Sequence, residues 1–180
     1  NITISAFATD RCGYTYVAGW GGLAQGSTAA GSTIGLPTTA NANQTTTDGF
    51  DFYVIALSNN LSTLAYASFW GGPFSEEHVD GGTSRFDSRG VIYQSVCAGC
   101  GGNSDFPTTP LAISSTNNSP NCNNALFKID FQLSAPVIAE FAVSPNRGCS
   151  PLTVSIQNFS TNASAYYWDF GNGQTSTAPN

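Results

Sequence analysis

The sequence predicts an all-β chain of antiparallel, propeller-blade-like repeats followed by the opening strands of a β-sandwich. Three observations predict it. Short apolar runs end repeatedly in glycine and follow no 3.6-residue pattern, which leaves almost no room for helix. The stretch from Val91-Ile92-Tyr93 through Cys97-Ala98-Gly99-Cys100 to Phe106-Pro107-Thr108-Thr109 has a weaker double upstream. That double is Tyr14-Thr15-Tyr16-Val17-Ala18-Gly19-Trp20-Gly21-Gly22 followed by Leu36-Pro37-Thr38-Thr39. Near 132–136 the composition changes, and a different set of strands begins.

The doubling extends to the flanks. Asp10-Arg11-Cys12-Gly13 precedes the first strand word as Asp87-Ser88-Arg89-Gly90 precedes the second, and each reads as a tight turn supplied by Asp and Gly. After each Pro-Thr-Thr come a polar loop and an apolar strand, first at 52–57 and then at 125–129. The period is about 70 residues, giving copies at about 1–72 and 73–132; strands repeated at a fixed period point to a propeller, solenoid or array. Such a pattern argues for scaffolding before chemistry.

In chain order, Ile2, Ile4 and Phe7 alternate with smaller residues and predict one strand with a buried face over 1–9. A strand at 14–18 follows a short turn. The loops 21–32 and 41–48 are too rich in Gly, Ala, Ser, Thr and Asn to pack alone and are expected to be exposed. Strands at 50–57 and 64–70 form a hairpin about Asn59-Asn60, closed by Gly71-Gly72. A polar crossing at 76–82 leads into 83–87, the first strand of the second copy. Beyond 136, strands are expected around 141–143, 152–156 and 166–170, the last entering a tight hairpin turn at Asn172-Gly173. These amount to about half of a sandwich domain.

Charged residues make up 9% of the chain, against roughly 25% in an average soluble domain. The net charge is -6, and the five basic residues, Arg11, Arg85, Arg89, Lys128 and Arg147, are scattered. Nucleic-acid binding needs a clustered basic footprint, so nucleic acid is excluded as a partner. Anionic lipid is disfavoured on the same ground, and no apolar run reaches the roughly 20 residues of a membrane span. The chain has no Met and no signal-peptide pattern at its start, as expected for a mature or internal segment of something larger.

Five cysteines, Cys12, Cys97, Cys100, Cys122 and Cys149, fit an oxidising compartment. Cys122 bonded to Cys97 or Cys100 is the preferred bridge, because these residues lie in loops between the same two strands; a partner for Cys149 is expected outside the segment. The Cys97 and Cys100 spacing also suits a metal, but tetrahedral zinc wants four ligands, and the single histidine, His78, is distant in sequence. His78 follows Glu76-Glu77 in a polar loop where nothing local marks a nucleophile for a catalytic triad, and Glu76 and Glu77 would point apart on an extended chain. No catalytic residue is therefore assigned, and no cofactor is expected. Asp48, Asp51 and Asp80 are the candidates for calcium, though without the spacing of a dedicated loop. Trp20, between two glycines, reads first as blade packing and is otherwise the best candidate for stacking on a sugar; Trp70 and Trp168 read as packing residues.

Residues 1–132 resemble the bacterial β-propeller repeat known as SBBP. The matching positions are 10–18, 36–39 and 52–57, then 87–93, 106–109 and 126–129, with Tyr66-Ala67-Ser68-Phe69-Trp70-Gly71-Gly72 similar to the family's strand ending in Gly-Gly. Departures are the Cys97 to Cys100 loop, the long loop before Leu36, and Gln94-Ser95. Residues 136–180 are similar to the first half of a PKD domain, an immunoglobulin-like sandwich. The similarity is carried by Phe141-Ala142-Val143-Ser144-Pro145 and Gly148 to Val154, and most specifically by Trp168-Asp169-Phe170-Gly171-Asn172-Gly173, in which Asn172 replaces the usual Asp. Together these resemblances imply a large, type IX-secreted surface protein of Bacteroidetes, of the kind associated with gliding motility. The function implied is that of an adhesin, stalk or filament module. Its partners would be other domains or copies of the same protein, surface glycans or other cell-surface proteins. A carbohydrate-binding accessory module of a secreted hydrolase is the alternative.

Overall fold

A computed structural model describes residues 1–23, 30–79, 84–133 and 137–179. The described residues form strands, turns and loops only, and every strand pairing is antiparallel. Two compact units divide the chain, 1–133 and 134–180. Among the described residues no helix is long and apolar enough to cross a membrane.

The first unit starts with β1 (Thr3–Thr9) and β2 (Thr15–Trp20), then a small hairpin of β3 (Gly22–Leu23) and β4 (Ala30–Gly31). β5 (Phe52–Leu57) and β6 (Leu64–Trp70) complete a four-stranded sheet in the order β1-β2-β5-β6. The second copy supplies β7 (Ser84–Phe86), β8 (Ile92–Ala98) and β9 (Asn123–Ile129), a sheet in the order β7-β8-β9.

The two copies turn in the same way. Asp10 Oδ1 accepts from the backbone N–H of Cys12 and Tyr14, both at 2.9 Å, and Gly13 sits at φ 85°. Asp87 Oδ1 accepts from Arg89 at 2.9 Å and Val91 at 3.1 Å, and Gly90 sits at φ 82°. Each is an Asp-capped turn whose fourth residue needs the left-handed region that glycine enters without strain. With the turns aligned, the strand registers make Tyr16 the counterpart of Tyr93 and Trp20 that of Cys97. Likewise Leu57 corresponds to Ile129 and Val54 to Leu126.

This correspondence shows that the sheets stack through unlike faces. Tyr16, Ala18, Phe52, Val54 and Ala56 of the first sheet share one core with Ile92, Val96, Phe127 and Ile129, which belong to the opposite face of the second. The Phe52 and Phe127 rings lie 5.3 Å apart, and Phe131 packs 5.2 Å from Tyr16 and 5.0 Å from Tyr66. The other face of the first sheet holds Tyr53, Ala67 and Phe69 under Ile2 and Leu36. The Leu36-Pro37-Thr38-Thr39 loop is tied there by Tyr53 Oη donating to Pro37 O (2.6 Å) and Thr39 N–H donating to Ala67 O (3.1 Å).

Four expectations are corrected. Ile4 and Phe7 are exposed, because a bulge between Ile4 and Ala6 turns small residues inward. The 21–32 loop is in part paired, Gly22 with Gly31 and Leu23 with Ala30; residues 24–29 lie outside the described set. A Cβ on Gly21 would lie 2.1 Å from Gly49 O, so this entry to the loop is close-packed. In the second unit, β10 (Phe141–Ser144) pairs with β11 (Ser155–Asn158), a strand that starts later than expected. β12 (Trp168–Asp169) pairs with β13 (Thr175–Ser176) across a five-residue turn rather than a two-residue one. Asp169 and Asn172 each accept from the N–H two residues on, while Gly171 and Gly173 take positive φ. None of the described residues of this unit is buried; Trp168 is half-buried, in edge contact with Phe141 at 5.6 Å.

Phe52→Ala removes a fully buried ring at the stack and should cost about 3–5 kcal/mol. Leu126→Ala, on the outer face, should change stability by less than ~0.5 kcal/mol. Urea unfolding of both variants checks this; equal losses would contradict the assignment of the two faces.

Candidate functional site

The chemistry-bearing side chains of the first unit gather where β6 ends. Gly71 and Gly72 follow Trp70, and a Cβ on Gly71 would lie 2.0 Å from Asp51 Oδ1 and 2.5 Å from Glu77 Oε2. A Cβ on Gly72 would lie 2.5 Å from Ser75 Oγ. The glycine pair is thus the floor on which carboxyl groups rest against bare backbone. Asp51 and Glu77 are both about 1% exposed. Gln44 orders this floor by donating from Nε2 to Asp51 Oδ2 (3.2 Å) and accepting the Gly71 N–H on Oε1 (3.1 Å).

Burial raises the carboxyl pKa values, since the charged forms lose water. Asp51 is pushed from 3.8 to about 6, with the Thr47 hydroxyl opposing and the neighbouring Asp48 charge adding. Glu77 is pushed from 4.5 to about 8, again by burial first, with Ser75 and the Gly72 N–H opposing and the Asp51 charge adding. The hydrogen bonds agree with a protonated Glu77. Ser75 Oγ lies 2.6 Å from Glu77 Oε1 and 2.7 Å from Asp105 Oδ1. One hydroxyl proton serves only one of them, so one of the two carboxyls must be protonated to fill the second bond, and burial favours Glu77. Among the described residues, Asp51 Oδ1 and Glu77 Oε2 have no hydrogen-bond partner.

The next residue faces the other way. Glu76 is exposed, Glu77 buried and His78 half-buried, the alternation of an extended segment. His78 forms an antiparallel bridge with Cys97 through two backbone hydrogen bonds, His78 N to Cys97 O at 3.1 Å and Cys97 N to His78 O at 2.9 Å. Cys100 is bonded to Cys122, with Cα atoms 3.9 Å apart. His78 Nδ1 lies 3.9 Å from Cys100 Sγ. Asn117 holds the two cysteine loops together by donating from Nδ2 to Gly99 O (2.8 Å) and Asn121 O (2.7 Å). One ligand atom each from His78, Cys100 and Cys122 falls within 4.8 Å of the others.

The remaining sequence candidates fall elsewhere. Cys12 and Cys149 are exposed thiols, and Cys97 is half-buried outside the disulfide. Trp20 is 7% exposed and packed in the common core, so its ring faces are covered by the chain itself. Asp48 caps the turn before β5 through the Phe50 N–H (2.9 Å), Asp51 joins the buried pair, and Asp80 lies outside the described residues. Trp168 Nε1 donates to Ala178 O at 2.7 Å, and the 169–173 turn is exposed. Sequence reasoning missed the grouping of Asp51, Glu77 and Asp105. The available signal was Gly71-Gly72, a place where something polar can approach backbone. No family model, curated protein or solved structure matches this chain.

Because folding raises the pKa values of Asp51 and Glu77, the native state holds more protons than the unfolded state between about pH 4.5 and about pH 8. Stability should therefore fall as pH rises through that window. Glu77→Gln should flatten the fall, which urea midpoints across the range would measure; an unchanged slope in the variant would refute a neutral Glu77.

Proposed function

We propose that this chain is a non-catalytic structural module of a large extracellular surface protein, part of a stalk, filament or adhesive array. The observation that carries the reading is the stacking through unlike faces. A contact that joins one face of a repeat to the opposite face of the next does not use itself up, and head-to-tail contacts of this kind extend into arrays or close into rings.

The second copy has the same face to offer. Tyr93 and Leu126, counterparts of the buried Tyr16 and Val54, are 41% and 75% exposed. β9 also lacks the neighbour that β6 gives β5, and pairs on one side only among the described residues. A groove of about 670 Å³ borders it, lined among others by Phe106, Leu111, Ile113 and Leu126. The occupant this surface fits is an adjoining repeat of the same kind, contributing a β6-like strand and an inner face. The Cys100 to Cys122 disulfide suits an oxidising exterior, and the sandwich strands, without a buried residue of their own, suit completion by further strands. The resemblances to SBBP and PKD modules support the same role, with export to the bacterial surface; glycans or other surface proteins would be met by the exposed loops.

Hydroxyl-radical footprinting tests the array. Tyr93 and Leu126 should be modified readily in the isolated chain and protected in the parent protein on intact cells. Equal modification in both settings would remove the array reading, and recovery of the parent only after cell lysis would remove the surface location.

A further inference from the structure

We propose that the reduced chain binds one zinc ion through His78, Cys97, Cys100 and Cys122. Sequence separation had set His78 apart from the cysteines, yet folding brings it to them. Its Nδ1 is 3.9 Å from Cys100 Sγ, and the ligand atoms of His78, Cys100 and Cys122 share a sphere in which each is within 4.8 Å of the others. Bonds of about 2.3 Å to sulfur and about 2.0 Å to nitrogen set tetrahedral ligand atoms roughly 3.5 Å apart, so small side-chain rotations suffice.

The fourth donor is assigned to Cys97, whose sulfur stands outside that sphere and must rotate into it. Its bridge to His78 is a hydrogen-bonded antiparallel pair, which directs both side chains to the same side of the sheet. From Cys97 at the end of β8 the chain reverses through Gly99, Gly101 and Gly102, all at positive φ. Cys-x-x-Cys on such a turn is a chelating spacing, and with Cys122 and His78 it completes a Cys₃His set. All four residues are half-buried, shielded yet open to an arriving ion.

The disulfide and the zinc site are alternative states of the same sulfurs. Reduction by a phosphine and one water breaks the S–S bond, leaves Cys100 and Cys122 as thiols, and oxidises phosphorus to the phosphine oxide. Zinc then displaces one proton from each coordinating thiol.

The test reduces the whole chain with a phosphine under anaerobic conditions and titrates Co(II), then Zn(II), followed by absorption and native mass spectrometry. One equivalent of cobalt should give thiolate charge-transfer and tetrahedral ligand-field bands, and zinc should displace it. Cys97→Ser and His78→Ala should each lose those bands while keeping the β-sheet circular dichroism spectrum, whereas Cys12→Ser and Cys149→Ser should retain them. Failure of the reduced chain to develop the bands would overturn the proposal. So would their persistence in a folded Cys97→Ser variant, or their appearance in the unreduced chain.

Discussion

Phe127 reaches across from the second sheet to within 5.3 Å of the Phe52 ring, and the rest of the first unit is arranged so that this contact can form. Neither sheet alone has a thick enough layer of apolar residues to leave water. Joined, they bury Tyr16, Phe52, Val54, Ile92 and Val96 almost completely. Burial on this scale outweighs the ordering of long polar loops, because the loops are fixed at their ends by strands that are already packed. Asp10 and Asp87 then act as punctuation: each closes a turn that starts its strand in the phase required to put the correct face toward its neighbour.

The unlike-face stack also determines what kind of core the chain can have. A self-complementary pair of faces would be satisfied by two copies and would leave only polar outer surfaces. Here the outer face of the second copy keeps Tyr93 with Lys128 placed over its ring at 5.4 Å, and Leu126 beside them. The outer face of the first copy is closed by its own Leu-Pro-Thr-Thr loop, which docks on β6 through Thr39 and Gln44. Among the described residues no β6 counterpart lies beside β9 to give the second Phe-Pro-Thr-Thr loop such a rail, and Leu111 and Ile113 stand in solvent.

Much of this was legible in the sequence. Most strand words and the two Asp-Gly turns are local signals, and these fell where hydrophobic runs and turn chemistry place them. The positions that escaped depend on distant neighbours. Ile4 and Phe7 look like a buried face until a bulge rotates the strand. Of the two readings for Cys122, spacing could not separate Cys97 from Cys100, because the choice depends on the turn at Gly99 and on Asn117 drawing the loops together. The carboxyl group was hidden for the same reason: Asp51, Glu77 and Asp105 come from three segments and meet only over Gly71 and Gly72.

That meeting explains why the segment between the copies is more than a connector. Residues 73–79 leave β6, turn over the glycine floor and return along β8, so one short extended run borders both sheets. Alternation then assigns its side chains: Glu77 goes inward, neutral and wired through Ser75 to Asp105, and His78 goes outward to the sulfur cluster. A charged Glu77 would carry an uncompensated charge into the joint between the sheets, next to Asp51. Keeping it protonated lets a polar residue fix the crossing without repelling its acidic neighbours. The same crossing therefore sets the relative position of the two copies and holds His78 against Cys97, so the geometry of the outer cluster is inherited from the inner one.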